Sequence, residues 1–412
     1  MGKSAFRFAS AGVAFASLAG CATYQGKIEE SRELLRNGRA DEAAQKLAPL
    51  AARENDDQLV YMLDWATALQ LAGHYRESAS AFNRAEKIAD VQDYHSLSNI
   101  ASSLVLSEEM VQYKGDDYEK VLINAVNAIN YLMMGLLDDA LVEVRKVNQK
   151  LRLYRTEAKR DYEQNPFAYY LSAMIWEAGQ RWDDAYIDYK RAYDLIPNYA
   201  PLREDLLRSS MRAQRADEFA SWKAKFPEIK TKSEWRDRTM GELIVIHQQG
   251  WGPRKSPRPE SFRFPHLTPT SSTTHAAEIT LNDVVVAHTQ EIYSVTRVAI
   301  KTIDDAFAGL AAKRVAGIAT KAVLADQLRQ QNQLLGAVAW IALNATDRAD
   351  LRQWSTLPDT FQIARIPLKA GAYKLEVKGL GWGGSLDGEN MPGRTINVTP
   401  GKKTFVAWRS LR

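Results

Sequence analysis

Four short segments of this chain share one plan, a glycine-led turn followed by a helical run with a small residue at a fixed place: Gly38-Arg39-Ala40-Asp41-Glu42-Ala43, Gly73-His74-Tyr75-Arg76-Glu77-Ser78, Gly135-Leu136-Leu137-Asp138-Asp139-Ala140 and Gly179-Gln180-Arg181-Trp182-Asp183-Asp184-Ala185. In the second and fourth, an aromatic and an alanine follow on the same helical face, Phe82 and Ala85 after Ser78, Tyr189 and Ala192 after Ala185, and Pro197 closes the fourth. A small residue lets antiparallel helices approach, the aromatic fills the space beside it, and each pair stacks on the next. The small residues are 35, 62 and 45 positions apart, so the array is irregular. The interval 86–120 is expected to hold a degenerate helix pair across 97–111, and the fourth turn carries one extra residue.

This plan resembles the tetratricopeptide repeat, whose arrays bind peptides or proteins on a concave face built from the first helix of each pair. On that phasing Leu63, Thr67 and Gln70, with Tyr170, Met174 and Glu177, point inward as protein-binding candidates. Asn124, Asn127 and Asn130 recur on one face of the third unit's first helix; three such amides either pair with neighbours or line something polar.

With 412 residues, 45% hydrophobic and 25% charged, the chain is too long for one small core, and a formal charge of +4 gives no reason to expect nucleic acid as a partner. The single cysteine excludes an intramolecular disulfide and Cys-rich metal sites. Lys3 and Arg7 precede an uncharged run, Phe8 to Leu18, too short for a membrane span, which reads as a signal peptide over 1–20. Leu18-Ala19-Gly20-Cys21 resembles the bacterial lipobox, which implies cleavage before Cys21, acylation of that cysteine and, with Ala22 next, a periplasmic protein anchored in the outer membrane.

The expected domains are 21–230, helical repeats, and 240–412, α+β. Glu242 to His247 reads as a strand buried on both faces; Gly250 to Lys255 is a loop, and 256–274 is rich in Pro, Ser and Thr. One strand is expected across Ala277 to Ala287, helix from Ile292 to Asn344 with a break near Gly317, then four strands at Phe361–Leu368, Ala372–Val377, Thr395–Thr399 and Thr404–Trp408. The predicted fold class is α+β, an α-solenoid of tetratricopeptide-like helical hairpins followed by a small antiparallel β-sandwich or sheet with an inserted helical hairpin.

Gly241-Glu242-Leu243-Ile244-Val245 leading to Gly252-Pro253-Arg254-Lys255, the run Ala349 to Pro358 leading to Ala364-Arg365-Ile366-Pro367, and Asp117-Tyr118-Glu119-Lys120 before Asn130-Tyr131-Leu132 resemble a family of bacterial tetratricopeptide lipoproteins without an assigned biochemical activity. The resemblance implies an envelope role and a link to peptidoglycan-synthesis machinery.

No enzyme constellation emerges. The six histidines form no H-x-x-x-H or H-E-x-x-H pair, Gly401-Lys402-Lys403-Thr404 lacks the upstream glycine of a phosphate loop, and no G-x-S-x-G occurs, so neither a metal nor a cofactor is expected. Arg352 and Arg365, around Trp354, either bind an anion or pair with carbonyls and carboxylates. The loop Gly250, Trp251, Gly252, Pro253, Arg254 and Lys255 either displays its indole for recognition or folds it back as a cap on the core. Two functions follow: a protein-binding scaffold using the repeats, or a glycan or small-ligand binder using the C-terminal domain with the repeats as spacer.

Overall fold

The computed structural model describes residues 24–95, 112–156, 164–259, 261–305 and 349–412, with isolated positions between 307 and 330. The signal segment, Cys21, the helix pair expected at 97–111 and the break near Gly317 lie outside the described residues.

Among the described residues, ten helices precede the strands: α1 (Tyr24–Arg36), α2 (Ala40–Ala51), α3 (Gln58–Leu71), α4 (Tyr75–His95), α5 (Asp117–Met133), α6 (Leu137–Thr156), α7 (Pro166–Ala178), α8 (Trp182–Leu195), α9 (Ala200–Arg212) and α10 (Ala216–Lys225). Each packs on the next, giving five successive hairpins. Ala43, Ser78, Ala140 and Ala185 are buried where paired helices meet, with Phe82, Ala85, Tyr189 and Ala192 beside them. Gly38, Gly73 and Gly135 hold positive φ at their turns, where a β-carbon is disfavoured. At the α7–α8 and α9–α10 turns that position falls to Gln180 (φ 58°) and Gln214 (φ 57°). The fifth hairpin therefore carries no glycine signal, and the four-unit reading missed it.

Ten strands follow among the described residues: β1 (Met240–Gln249), β2 (Arg254–Arg258), β3 (Ser261–Thr268), β4 (Ala276–Leu281), β5 (Val284–His288), β6 (Gln290–Ser294), β7 (Thr360–Lys369), β8 (Gly371–Leu380), β9 (Leu386–Val398) and β10 (Lys403–Arg409). One sheet runs β10-β1-β7-β6, a second β5-β4-β8-β9, and β2-β3 is a separate hairpin. Three expectations are corrected. The Pro-rich stretch after Gly252 is largely this hairpin, because Pro257 faces Pro265 and so no ladder donor is lost between them. The single strand Ala277–Ala287 is the hairpin β4–β5, turned by Asn282 and Asp283, both with positive φ. Ile292 to Ser294 belong to β6, and helix begins only at 295. The β1–β10 pair is also parallel, unlike the antiparallel remainder.

Alternation along β1 explains its apolar run. Leu243 and Val245 join Ile279, Leu375, Val377 and Val398 in the core between the two sheets. Ile244 and Ile246 face the other way, into a core continuous with the helical array. Phe167 of α7 stacks on Phe361 of β7 at 4.1 Å. The first sheet thus has the second sheet on one face and the repeat array on the other.

Candidate functional site

The inner face of the repeat array is not an open groove. The irregular segment 349–359 and the first sheet fill it. Asp64, the only charged residue of α3, accepts hydrogen bonds from Thr356 N at 3.0 Å, Thr356 Oγ1 at 2.8 Å and Ser355 Oγ at 3.2 Å, and from the Tyr24 hydroxyl. Tyr24 also donates to the Gln353 carbonyl at 2.7 Å, and Arg32 donates to the Ser355 carbonyl. Glu119 of α5 accepts from Trp354 N at 2.8 Å and from the Tyr113 hydroxyl at 2.6 Å. The Trp354 indole N–H donates to Thr67 Oγ1 at 2.9 Å, and its ring lies 5.5 Å from Phe82. These contacts hold a segment of the chain's own backbone across the inner face of the array.

Burial pushes the Asp64 carboxyl up to about 6 against the hydrogen bonds of Tyr24 and Thr356. Burial, then the charge of Asp116, raises Glu119 to about 7, with Lys255 opposing. Deeper along the seam, Arg365 of β7 bridges Glu177 at 3.0 Å, Asp205 at 2.9 Å and Glu242 at 2.7 Å, and Lys403 reaches Glu177 at 2.9 Å. Burial raises Glu242, but Arg365 and Lys403 outweigh it and hold the carboxyl at about 2.

The sequence candidates find places inside this seam. Leu63, Tyr170 and Met174 are fully buried, and Thr67, Gln70 and Glu177 nearly so. Tyr170 donates to Asp205 at 2.5 Å, Gln70 donates to Asn130 at 2.8 Å, and Glu177 holds Arg365. The expectation that they meet a separate protein is corrected: the C-terminal domain occupies that face. The Asn stripe is satisfied between helices, Asn124 donating to Glu86 and Glu143 at 2.7 Å each, Asn127 to Asn83 and Asn130 to Ser78 at 2.9 Å each.

Arg352 pairs with Asp350 at 2.7 Å and Asp57 at 3.2 Å, so both anion-binding candidates, Arg352 and Arg365, are neutralised by the chain's own carboxylates. The loop Gly250, Trp251, Gly252, Pro253 and Lys255 is not a surface recognition element. Trp251 is 2% exposed and donates to the Leu411 carbonyl at 2.8 Å, Pro253 accepts from Gln353, and buried Lys255 pairs with Asp116 at 2.9 Å. A β-carbon at Gly252 would lie 3.3 Å from the Leu357 carbonyl, a tight approach that the backbone of 357 would have to yield to.

The exposed indole is Trp382 instead, 83% exposed between Gly381 and Gly383, its ring 4.2 Å from His275. The cue was in the sequence: Gly379-Leu380-Gly381-Trp382-Gly383-Gly384 repeats the glycine-flanked pattern of Trp251. Leu386 follows at 60%, and Val284, Val285 and Val286 on the edge strand β5 are 62%, 49% and 41% exposed.

Among the described residues, His247 Nε2 and Ser410 Oγ, 2.9 Å apart, come nearest to a nucleophile–base pair. Both are wholly buried, His247 stacks on Trp408, and burial, then Arg409, lowers it to about 3, so it is a neutral core residue with no path for a substrate. Among the described residues no cluster of three His, Cys, Asp or Glu could hold a metal, and no helix is long and apolar enough to cross a membrane.

No protein-family model and no curated protein matches the chain. Solved structures similar to it include MamA from Desulfovibrio magneticus RS-1 (16% identity, 49% of this chain and 90% of that one, TM-score 0.32). A putative kinesin light chain with tetratricopeptide-like repeats from Podosopora anserina (12%, 50% and 97%, 0.34) and a tetratricopeptide repeat protein from Parabacteroides merdae (13%, 52% and 82%, 0.22) are similar as well.

Proposed function

We propose that this protein is a non-catalytic binding scaffold of the bacterial envelope, held at the periplasmic face of the outer membrane by acylated Cys21, whose partner-facing surface lies on the C-terminal domain. The observation that carries this is where apolar surface remains free. The concave face of the repeats is filled by segment 349–359 and the first sheet, whereas Val284 to Val286, Trp382 and Leu386 of the second sheet are exposed. An edge strand with three exposed valines offers backbone pairing to a strand of a partner protein. The repeats then act as a bracket that holds the sandwich rigidly. The envelope setting and a partner in peptidoglycan assembly rest on the sequence resemblances alone.

Photo-crosslinking residues placed at Val285, Trp382 and Met174 in intact cells test the reading. Crosslinks to an envelope protein from positions 285 or 382, lost when Cys21→Ser removes the anchor, are expected, with none from 174. Crosslinks from 174 alone would overturn it. A second reading rests on Trp382: an indole so exposed on a glycine-flanked turn is suited to stack on a sugar face. Sedimentation with purified peptidoglycan, lost in Trp382→Ala, distinguishes it.

A further inference from the structure

Three guanidinium groups crowd one indole. The Cζ atoms of Arg32, Arg36 and Arg409 lie 4.3, 5.2 and 5.8 Å from the Trp251 ring centroid. Arg254 adds a fourth cation nearby, paired at 2.6 Å with Glu29, which also meets Arg36 at 3.4 Å. The other carboxylates of the region are engaged elsewhere: Asp64 with Tyr24, Ser355 and Thr356, and Glu389 with Leu411 N at 2.7 Å and Arg412 N at 2.9 Å. Glu389 and Asp359 attract Arg409, and Asp64 and Glu29 attract Arg32, without forming an ion pair with it.

Arg32 and Arg409 are 2% and 8% exposed, and among the described residues neither makes an ion pair. Each spends one Nη on a neighbouring carbonyl, Arg32 on Ser355 and Arg409 on Thr356 at 3.0 Å. Arg32 Nε, Arg409 Nε, Arg409 Nη1 and Ser31 Oγ are buried and meet no acceptor. Arg352 and Arg365, equally deep, are each wrapped in two or three carboxylates. A buried guanidinium with unpaired N–H groups and no direct ion pair is costly, and its planar fork matches an oxyanion.

We propose that Arg32 and Arg409, beside Trp251, form a binding site for a small phosphate-class oxyanion, with Arg36 and Arg254 at its rim. The rim side chains are 32% and 38% exposed, which gives an anion a charged entry. The burial of the two inner arginines restricts the ligand to a compact group, a free phosphate or the phosphate of a lipid headgroup.

Inorganic phosphate titrated into the full chain, at ionic strength fixed with sodium chloride, is expected to raise the thermal midpoint saturably. Arg409→Lys keeps the charge and loses the fork; it should weaken phosphate binding by about tenfold or more with an unchanged circular dichroism spectrum. Arg409→Met should remove the phosphate response and, in phosphate-free buffer, melt no lower than the wild type, because an uncompensated buried charge has gone. Competition by phosphatidylglycerol vesicles identifies a headgroup as the source, and indifference to them identifies the free anion. A phosphate response no larger than that to chloride, or one that survives Arg409→Lys undiminished, overturns the proposal.

Discussion

Glu119→Gln should change the pH dependence of stability in a direction fixed by the seam. Glu119 is fully buried, and its carboxyl accepts from Trp354 N, Tyr113 Oη and Asp116 N. Burial and the Asp116 charge lift it from 4.5 to about 7. A carboxyl raised by folding binds its proton more tightly in the folded chain, so its stabilising contribution is complete below pH 4.5 and is lost as pH rises through about 7. At about 1.4 kcal/mol per unit, a rise of that size amounts to about 3 kcal/mol. Gln at 119 carries no proton to lose. Urea denaturation of both proteins between about pH 4.5 and pH 8 should therefore show the stability difference moving by about 3 kcal/mol in favour of the variant as pH rises. Comparing the two cancels other titrations, among them that of His247, whose lowered value works in the opposite direction. The neutral amide also meets two donors at the Oε2 position, which adds a constant offset and leaves the slope intact. A stability difference that stays flat to within about 0.5 kcal/mol across that range would refute the reasoning, because Glu119 would then titrate alike in folded and unfolded chains.

Trp251→Ala should cost about 3 kcal/mol or more, read as a lowered denaturation midpoint, since the indole is buried and hydrogen-bonded to Leu411. Tyr170→Ala and Met174→Ala should each destabilise by about 2–5 kcal/mol in the same assay, because both side chains are core and not contact surface. Arg365→Ala should lose about 3–5 kcal/mol by stranding Glu177, Asp205 and Glu242, and Glu242, held at about 2, then titrates at a visibly higher pH by carbon-detected NMR.

The helical half was legible wherever local spacing carried the information. Ser78 and Phe82, or Ala185 and Tyr189, lie on one helical face, and that relation needs no knowledge of the rest of the chain. The fifth hairpin escaped because Gln214 occupies the left-handed turn position and, unlike Gln180 with Gly179 before it, has no neighbouring glycine. In β1 the unbroken apolar run correctly implied two buried faces, though not that one of them meets the repeats. The seam was hidden for a different reason. Trp354 meets Thr67 across 287 positions and Thr356 meets Asp64 across 292, separations over which no periodicity speaks. The lone acid in α3 was the available cue, since an aspartate on an apolar helix needs partners from elsewhere. Trp251 and Trp382 show the limit of pattern in one pair: both are flanked by glycines, yet the first is buried and the second exposed.

The parallel pairing of β10 with β1 has a consequence for how the protein is made. His247 and Ser410 meet across 163 positions, so β1 waits beside an empty lane while nearly all of the remaining sheet is synthesised. A ribosome that stalls before Lys403 releases a chain whose β1 is apolar on both faces and unpaired along one side, and which also lacks the Lys403 ammonium that Glu177 needs. Such a product is sticky and poorly closed, the kind of chain that proteases and chaperones recognise. Loss of β10 therefore opens one edge of an apolar strand and leaves Glu177 short of a cation in the same step.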